Sequence, residues 1–356
     1  MKSTYIIAEA GVNHNGDLAL ARQLVKAAKD AGADAVKFQT FKTEKILTRS
    51  ASMAEYQKDN LGSQDTQFQM IKALELSYAD FAGLKAYAKS IAIDFLSTPD
   101  EEESLDFLAD ELALPWIKIG SGEVTNLPFL RRIAAKQRPM ILSTGMSTLG
   151  EVERSVRVLR EINQQELVLL HCTTNYPCPP QEVNLRAMLT LKQAFNVRVG
   201  YSDHTIGSEV PVAAVALGAE IIEKHLTLDK SMDGPDHRAS LDPSEFREMV
   251  RQIRAIDIAL GDGVKWPNPS EERIKPLVRR RIVASRDLPV GTRLDWEHLS
   301  FKRADHGLYA EQAEAVIGRQ LNRSLDEDAP LDWTIVGDYT QLAPAFEPVL
   351  VKGERA

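Results

Sequence analysis

The sequence predicts a (β/α)₈ barrel followed by a small β-rich domain, and three observations support this prediction. Short apolar stretches alternate with helical ones eight times within roughly the first 260 residues, the number and size of a (β/α)₈ barrel. The first strand-to-helix turn lacks a GxGxxG fingerprint, which disfavours an open dinucleotide-binding sheet. After Gly263 the chain becomes rich in proline and charge, as in an exposed linker. We therefore predict a barrel over 1–264, a linker over 265–278, a β-rich domain over 279–340 and a tail over 341–356.

The strands are predicted from short apolar runs in which side chains alternate between two faces. In the second strand Lys37 shares a face with Gln39, and in the eighth Glu223 shares a face with His225 while Lys224 points the other way. The predicted strands are 5–9, 35–39, 93–97, 116–119, 140–143, 167–171, 198–202 and 221–225.

The helices are predicted where apolar residues recur at helical spacing and a glycine or polar turn follows. Gly32 and Gly218, for example, come directly after two of these segments. Residues 41–76 are polar and weakly periodic, so we predict a loop excursion over the active face. The predicted helices are 18–31, 78–90, 127–135, 149–162, 185–195, 209–217 and 243–260, with one near 310–317 in the second domain.

Composition indicates a cytoplasmic globular protein. The 356 residues carry a formal net charge of −8 and no basic run with interleaved aromatics, which argues against a nucleic-acid partner. Glu9 interrupts the only early apolar run, so we predict no signal peptide, and no stretch is long enough for a membrane span. Without an export signal, Cys172 and Cys178 are expected to be free thiols.

Polar side chains follow nearly every predicted strand, at the edge where barrels place their chemistry. An inward lysine must find an anion, because burial of an unpaired ammonium group is costly. Two lysines with several serine hydroxyls would form a cradle for a phosphate or carboxylate. Glu9 and Glu123 are candidate proton donors or acceptors. The strand-end set is Glu9, Lys37, Ser97, Lys118, Ser121, Glu123, Ser143, His171, Ser202, His204, Glu223 and His225.

His204 and His225 end consecutive strands of one βαβ unit and are candidate ligands of a divalent metal ion. We expect Asp203, Glu223 and Asp236 to lie beside them at this edge of the barrel. The alternative is a pair of hydrogen-bonded histidines that cap the strands, since no HExxH signature is present.

The other polar residues also have structural alternatives. Lys37 could form an internal ion pair with Glu9, and Lys118 with Glu123. Ser97, Ser143 and Ser202 could cap the helices that begin after them. His171 is predicted to be a hydrogen-bonded core residue and not a metal ligand.

Taken in order, a series of motifs resembles the sialic acid synthase family. They are IAEAGVNHNGD, ADAVKFQT, LSTP, IKIGSGE, ILSTGM, LLHCTTNYP, VGYSDHT, IEKH and GPDHRASLDP. The stretch from Arg279 resembles the carboxy-terminal antifreeze-like (SAF) domain of that family, so the resemblance extends to about residue 340. KIGSGE and GPDHRASLDP are more similar to the neuraminate and legionaminate branch than to the pseudaminate branch.

The resemblance implies a synthase that condenses phosphoenolpyruvate with an N-acylated mannosamine-type aldehyde, releasing phosphate and forming a nine-carbon 2-keto acid. It implies a divalent ion, Mn²⁺ or alternatively Mg²⁺, held by His204 and His225. It also implies a homodimer in which the SAF domain covers the partner's barrel and Arg303 reaches the N-acyl group of the sugar. The implied phosphoenolpyruvate-binding residues are Lys37, Lys118, Ser121, Ser143 and Ser202, and the implied residues around the sugar are Glu9, Glu123, Tyr176 and Asp236.

The sequence departs from the family pattern at two places. Arg303 is followed by Ala304 and Asp305 where the family has Pro-Gly, so the loop that presents this arginine is expected to differ in shape. Thr174, followed by Asn175, stands where the family often has an asparagine that contacts phosphoenolpyruvate.

The sequence leaves two alternative functions. An octulosonate- or heptulosonate-type synthase needs an extra basic patch for a phosphorylated acceptor, and the strand ends carry no spare lysines. A non-catalytic carbohydrate-binding barrel would have no reason to keep Lys37 and Lys118 together with His204 and His225.

Overall fold

The computed structural model describes residues 3–49, 51 and 66–337. These residues form two compact units, divided between Gly263 and Val264. The predicted tail, 341–356, lies outside the described residues, as does the middle of the predicted excursion, residues 52–65.

The first unit contains an eight-stranded parallel sheet with the order β3-β2-β1-β8-β7-β6-β5-β4. The two ends of this order, β3 and β4, also pack against each other, so the sheet curves into a barrel. The predicted fold class is therefore confirmed. The strands are β1 Tyr5–Gly11, β2 Ala35–Thr40, β3 Asp94–Pro99, β4 Ile117–Ile119, β5 Met140–Ser143, β6 Leu167–His171, β7 Arg198–Asp203 and β8 Ile221–His225.

Helices surround the sheet, and local capping explains where several of them begin. Asp17, Ser77 and Thr148 each accept hydrogen bonds from the first backbone N–H groups of the helix that follows. The helices of this unit are Leu18–Ala31, Thr43–Ile46, Gln67–Ala73, Tyr78–Ser90, Glu102–Asp106, Leu127–Ala135, Leu149–Ile162, Ala187–Phe195, Glu209–Ala216 and Pro243–Ala259.

Three segments differ from the prediction. The predicted excursion contains the short helices Thr43–Ile46 and Gln67–Ala73. A helix that the sequence pattern did not reveal, Glu102–Asp106, continues into a π-helical turn, Phe107–Glu111, between β3 and β4. The predicted linker contains a helix, Pro269–Val278, with no buried residue.

The barrel interior has an apolar layer beneath its polar mouth. Because side chains alternate along each strand, the inward residues of several strands meet at one level. This layer consists of Ile7, Ala35, Leu96, Ile141, Val168, Leu170 and Ile221, all buried. The next inward residues toward the carboxyl ends, such as Lys37 and Glu223, are polar. The layer therefore forms the floor of the cavity described below.

The second unit has its own core and a two-stranded antiparallel sheet, β9 Arg281–Ala284 with β10 Leu299–Lys302. Ile282, Val316 and Leu331 are fully buried in this core. Isolated backbone bridges add further β structure, consistent with the predicted β-rich domain.

Two smaller predictions concern cysteine chemistry and membranes. Cys172 and Cys178 are buried free thiols, as predicted. Within the described ranges, no helix combines the length and the apolar character needed to cross a bilayer.

Buried His14 is expected to make the fold sensitive to acid. Burial lowers its pKa to about 4, and its Nδ1 accepts a hydrogen bond from the Gly16 N–H at 3.0 Å. Unfolded His14 binds a proton near its ordinary pKa of about 6.5, so unfolding takes up this proton below that pH. This histidine alone should lower the free energy of unfolding by about 2 kcal/mol between about pH 7.5 and pH 5.

The test is urea unfolding of His14→Asn at both pH values. The asparagine Oδ1 can replace Nδ1 as the acceptor but does not titrate, so this variant should lose about 2 kcal/mol less stability than the wild type. His306→Asn, at an exposed position of the second unit, should behave like the wild type. Equal losses in His14→Asn and wild type would contradict the prediction.

Candidate active site

The carboxyl ends of the barrel strands surround a polar cavity of about 210 Å³. Its walls come from all eight strands or the loops that follow them, so residues distant in sequence meet there. The lining residues are Glu9, Lys37, Gln39, Thr98, Asp100, Lys118, Gly120, Ser121, Gly122, Ser143, Met146, Cys172, Thr174, Tyr176, Ser202, His204, Glu223 and His225.

Two lysines and two glutamates form a buried network at the cavity base. The Lys37 Nζ lies 2.7 Å from the Glu9 Oε2 and 3.7 Å from the Glu223 Oε2, and the Lys118 Nζ lies 3.4 Å from the Glu223 Oε1. Lys37 also donates to the Thr98 hydroxyl at 3.1 Å. Glu223 therefore stands between two ammonium groups and holds them in one place.

The two glutamates of the network differ in how readily they take up a proton. Burial raises the pKa of Glu9, and nearby Glu223 adds to this rise, although Lys37 opposes it. Burial alone would also raise the pKa of Glu223, but Lys118 and Lys37 outweigh it and hold that pKa below its usual range. The pKa of Lys37 is raised, because its two glutamate neighbours outweigh the opposing effect of burial. Glu223 is therefore held ionised between the two lysines, whereas Glu9 takes up a proton more readily, and protonation of Glu9 would leave positive charge free to bind an anionic ligand.

Serine hydroxyls complete the base of the cavity. Lys118 donates to the Ser143 Oγ at 2.8 Å, and Ser202 donates to the Glu223 Oε1 at 2.9 Å. Ser121 accepts from the Gly145 N–H at 2.9 Å. These hydroxyls fix the charged groups and can also bind an anion directly.

Gly145 lets the loop after β5 lie close to the cavity wall. A Cβ at this position would come within 2.3 Å of the Thr174 Oγ1 and 2.9 Å of the Ser121 Oγ. A larger residue would therefore displace Thr174 or Ser121 from the cavity lining.

His204 and His225 face each other across one side of the cavity. Their ring centroids are 5.5 Å apart, and the Tyr176 ring lies 4.0 Å from the His204 ring and 5.5 Å from the His225 ring. The His204 Nδ1 lies 2.6 Å from the Thr173 carbonyl oxygen, which can only accept, so Nδ1 carries the proton and Nε2 keeps its lone pair. Burial lowers the pKa of both imidazoles, so both are neutral and able to ligate a metal ion.

His225 retains an unsatisfied nitrogen. Its Nδ1 is buried and forms no hydrogen bond within the described part of the chain, and the Asp236 Oδ2 lies 3.7 Å away. Burial raises the pKa of Asp236 to about 6. Among the described residues, no group of three or more His, Cys, Asp or Glu side chains forms a ready-made metal site. Two neutral imidazoles, each with a nitrogen lone pair available, therefore fit a cation whose other ligands come from substrate or water.

Most predicted site residues meet in this cavity, and three do not line it. Glu123 accepts from the Asn126 side chain at 2.6 Å and lies close enough to Asp100 to influence the pKa of that residue. The Asp236 Oδ2 lies 3.7 Å from the His225 Nδ1. Arg303 is an exposed residue of the second unit. The predicted residues that line the cavity are Glu9, Lys37, Lys118, Ser121, Ser143, Thr174, Tyr176, Ser202, His204 and His225.

Two predicted neighbours lie elsewhere. Asp203 does not lie beside the histidines in the cavity, because its side chain points to the outer face of the sheet and pairs with Lys224 at 2.6 Å. Lys118 pairs with Glu223 and not with Glu123, because Glu123 lies in a turn beyond the end of β4.

The structure supports some of the structural alternatives for these polar residues and not others. Lys37 does pair with Glu9, inside the polar network. None of the three serines caps a helix among the described residues: Ser97 bonds Thr40, and Ser143 and Ser202 take part in the network. The His171 Nε2 lies 2.7 Å from the Val183 carbonyl oxygen, as expected for a structural histidine.

The cavity also holds contacts and residues that the sequence did not predict. Glu223 was expected beside the histidines, and the structure places it in contact with both lysines as well; its position two residues before His225 on the same strand face was the available signal. Gln39 lies two residues after Lys37 and donates to the Glu9 Oε1 at 3.1 Å. Burial raises the pKa of Asp100 to about 7. Asp100 and Met146 lie in loops, where no periodic pattern identifies an inward side chain.

Comparison with protein families identifies both units. The model of the NeuB family matches residues 24–265, and the model of the SAF domain matches residues 279–335. The family resemblance inferred from the motifs is thereby confirmed.

Curated relatives and solved structures agree with this assignment. The N,N'-diacetyllegionaminic acid synthase of Legionella pneumophila is 47% identical over 92% of this chain and 93% of its own length. The enzyme of the same name from Campylobacter jejuni is 48% identical over 92% of this chain and 98% of its own. The structure of N-acetylneuraminic acid (sialic acid) synthetase from Leptospira borgpetersenii, in complex with citrate, has a TM-score of 0.68 and 34% identity, covering 76% of this chain and 90% of that one.

Proposed function

Because the chain belongs to the NeuB family and carries a SAF domain, we propose that it is a nonulosonic acid synthase. It condenses phosphoenolpyruvate with an N-acylated mannosamine-type sugar and releases phosphate. The observation that carries this proposal is the juxtaposition of the Lys37–Glu223–Lys118 network with His204 and His225 in one cavity. An anion subsite and a carbonyl-activating subsite are the two parts that such a condensation needs.

The lysine network is assigned to phosphoenolpyruvate. Its carboxylate and phosphate need cationic donors, which Lys37 and Lys118 supply in a buried setting where charge interactions are strong. Ser121, Ser143 and Ser202 line the same base and provide hydroxyl donors. These residues are assigned to hold phosphoenolpyruvate with its C3 toward the sugar.

The histidine pair is assigned to a divalent metal ion, Mn²⁺ or alternatively Mg²⁺. The neutral rings and the unsatisfied Nδ1 of His225 fit such an ion. When bound there, the ion supplies a Lewis acid for the aldehyde oxygen of the sugar. The Asp236 carboxylate, 3.7 Å from that same Nδ1, would place further negative charge next to the ion.

The reaction forms one carbon–carbon bond and one carbon–oxygen bond, and it cleaves the carbon–oxygen bond between C2 and phosphate. C3 of phosphoenolpyruvate attacks the aldehyde carbon, and the aldehyde oxygen takes up a proton. Water adds at C2 and gives up a proton, and the resulting tetrahedral intermediate loses phosphate as its C2 hydroxyl becomes the ketone. Lys37 and Lys118 stabilise the negative charge of the leaving phosphate. Glu9, held by Gln39 and Lys37, is assigned to the sugar, and Glu123 remains the candidate acid or base.

The acceptor is proposed to be the doubly N-acetylated 6-deoxy sugar, 2,4-diacetamido-2,4,6-trideoxymannose. The support is the activity for which the two relatives at 47% and 48% identity are named. The test is to measure phosphate release from phosphoenolpyruvate in the presence of Mn²⁺, with either this sugar or N-acetylmannosamine as the acceptor. A preference for the first supports the proposed acceptor, and a preference for the second moves the enzyme to the neuraminate branch. No release with either sugar would overturn the synthase assignment.

We further propose, from the family resemblance, a homodimer in which Arg303 serves the partner's active site. Arg303→Ala should raise the KM for the sugar about tenfold or more, because it removes a charged hydrogen-bond donor, and should leave the KM for phosphoenolpyruvate unchanged. Arg286→Ala, at another exposed arginine of the same unit, should leave both constants unchanged.

Mixed dimers can test this exchange. At a sugar concentration well below the KM, subunits with His225→Ala and subunits with Arg303→Ala should together regain up to about a quarter of wild-type activity, since half of randomly paired dimers are mixed and each holds one intact site. No recovery above the level of the Arg303→Ala dimer, with mixed dimers verified by mass, would show that Arg303 serves its own barrel.

A further inference from the structure

A second polar cluster lies on the outer face of the strands that carry the two histidines. Asp203 and Lys224 are register partners on β7 and β8, and their side chains form an ion pair of 2.6 Å. Both side chains are 0% exposed, and no other ion pair within the described ranges has both partners fully enclosed. The network around Glu223 occupies the inner face of the same strand ends.

This outer cluster flanks His204 in the sequence and includes the residue that precedes His225. Asp203 accepts from the Thr205 N–H at 3.2 Å and from the Thr205 hydroxyl at 3.0 Å, and the Lys224 Nζ also donates to the Thr205 carbonyl oxygen. The residues on both sides of His204 are therefore joined to the residue that precedes His225.

The inner face carries a matching link at the adjacent register position. Ser202 is the register partner of Glu223 and donates to it at 2.9 Å. Two cross-strand contacts, one on each face, thus connect β7 and β8 immediately before their histidines. His204 is held further by its own hydrogen bond to the Thr173 carbonyl.

Stability alone does not account for the buried charges. Removing two ions from water costs about as much as their attraction returns, and apolar pairs of similar volume often stabilise a fold as well or better. What an apolar pair lacks is directional contact with Thr205. We infer that Asp203 and Lys224 are positioning residues that fix the separation and orientation of His204 and His225, an inference that rests on the proposed metal site.

The decisive variant is Asp203→Asn combined with Lys224→Met. It removes both charges, leaves no unpaired ion in the interior, and keeps an acceptor for the Thr205 N–H. The double variant should unfold at nearly the wild-type temperature and yet bind Mn²⁺ about 10- to 100-fold more weakly, the usual effect of losing an outer-shell contact. Mn²⁺ binding is measured by calorimetry on the metal-free protein, so this result does not depend on turnover.

The matched control is Ile253→Ala, at a fully buried position in helix Pro243–Ala259. It should lower thermal stability and leave Mn²⁺ affinity unchanged. A folded double variant with wild-type Mn²⁺ affinity would overturn the inference, as would an equal loss of affinity in the Ile253 control. Wild-type protein that binds no Mn²⁺, or His225→Ala that binds it normally, would instead overturn the metal site on which the inference rests.

Discussion

His225→Ala is expected to lower the rate of phosphate release by about a thousandfold or more and to abolish tight Mn²⁺ binding. The variant removes one of the two neutral imidazoles that face the cavity, and several kcal/mol of electrostatic stabilisation correspond to about this factor. The fold should persist, because the apolar layer below the cavity does not involve this side chain. Phosphate release and calorimetric Mn²⁺ titration are the two measurements.

His171→Ala provides the matched control. His171 also ends a barrel strand, but its Nε2 is engaged with the Val183 carbonyl oxygen and it does not line the cavity. This variant should keep Mn²⁺ binding and most activity. Full activity in His225→Ala would remove His225 from the metal site, and an equal loss in both variants would point to a general effect on the strand ends.

Lys37→Met is expected to raise the KM for phosphoenolpyruvate by about a hundredfold. The substitution keeps the length of the side chain but removes an ammonium group that contacts Glu9 and, at 3.7 Å, Glu223. Loss of one buried charge partner costs about 2–5 kcal/mol, and about 2.7 kcal/mol corresponds to a hundredfold change. The effect should fall on phosphoenolpyruvate and leave the KM for the sugar nearly unchanged.

Initial-rate kinetics with each substrate varied in turn will separate these constants. Lys26→Met is the control, because Lys26 is an exposed helix residue that pairs with Asp30, and it should leave both constants at the wild-type value. An unchanged KM for phosphoenolpyruvate in Lys37→Met would place that lysine outside the anion subsite.

Period-two alternation explains why much of the site could be predicted from sequence. In β8 it places Glu223 and His225 in the cavity and Lys224 on the outer face, as the structure shows. In β2 it places Lys37 and Gln39 inward. A strand has only two faces, so a few apolar residues determine the direction of every side chain.

Prediction failed where a residue's partner depends on tertiary packing. The same alternation turns Asp203 away from the cavity, but its proximity in sequence to His204 suggested a shared site. An ion pair of Lys118 with Glu123 was the structural alternative, yet Glu123 lies beyond the strand end, where the following turn sets its direction. Pairing across strands depends on register, which one strand's own sequence does not contain.

Helices Glu102–Asp106 and Pro269–Val278 were missed for different physical reasons. Helix Glu102–Asp106 is short, begins with a run of acidic residues and continues into a π-helical turn, so its apolar residues do not follow a regular helical period. Helix Pro269–Val278 buries no residue, and its large apolar side chains, Ile274, Leu277 and Val278, are confined to its second half around Pro276, so proline and charge dominate its sequence. Its capping box from Asn268 and Glu271 was the signal that could have revealed it.

The position of Glu223 between two ammonium groups has a consequence for substrate binding. Without this carboxylate, Lys37 and Lys118 would repel each other and turn toward water. With it, the two cations are already assembled when the site is empty, and folding has supplied the free energy of bringing them together. An entering dianion therefore meets a preorganised receptor and loses little affinity to rearrangement of the protein.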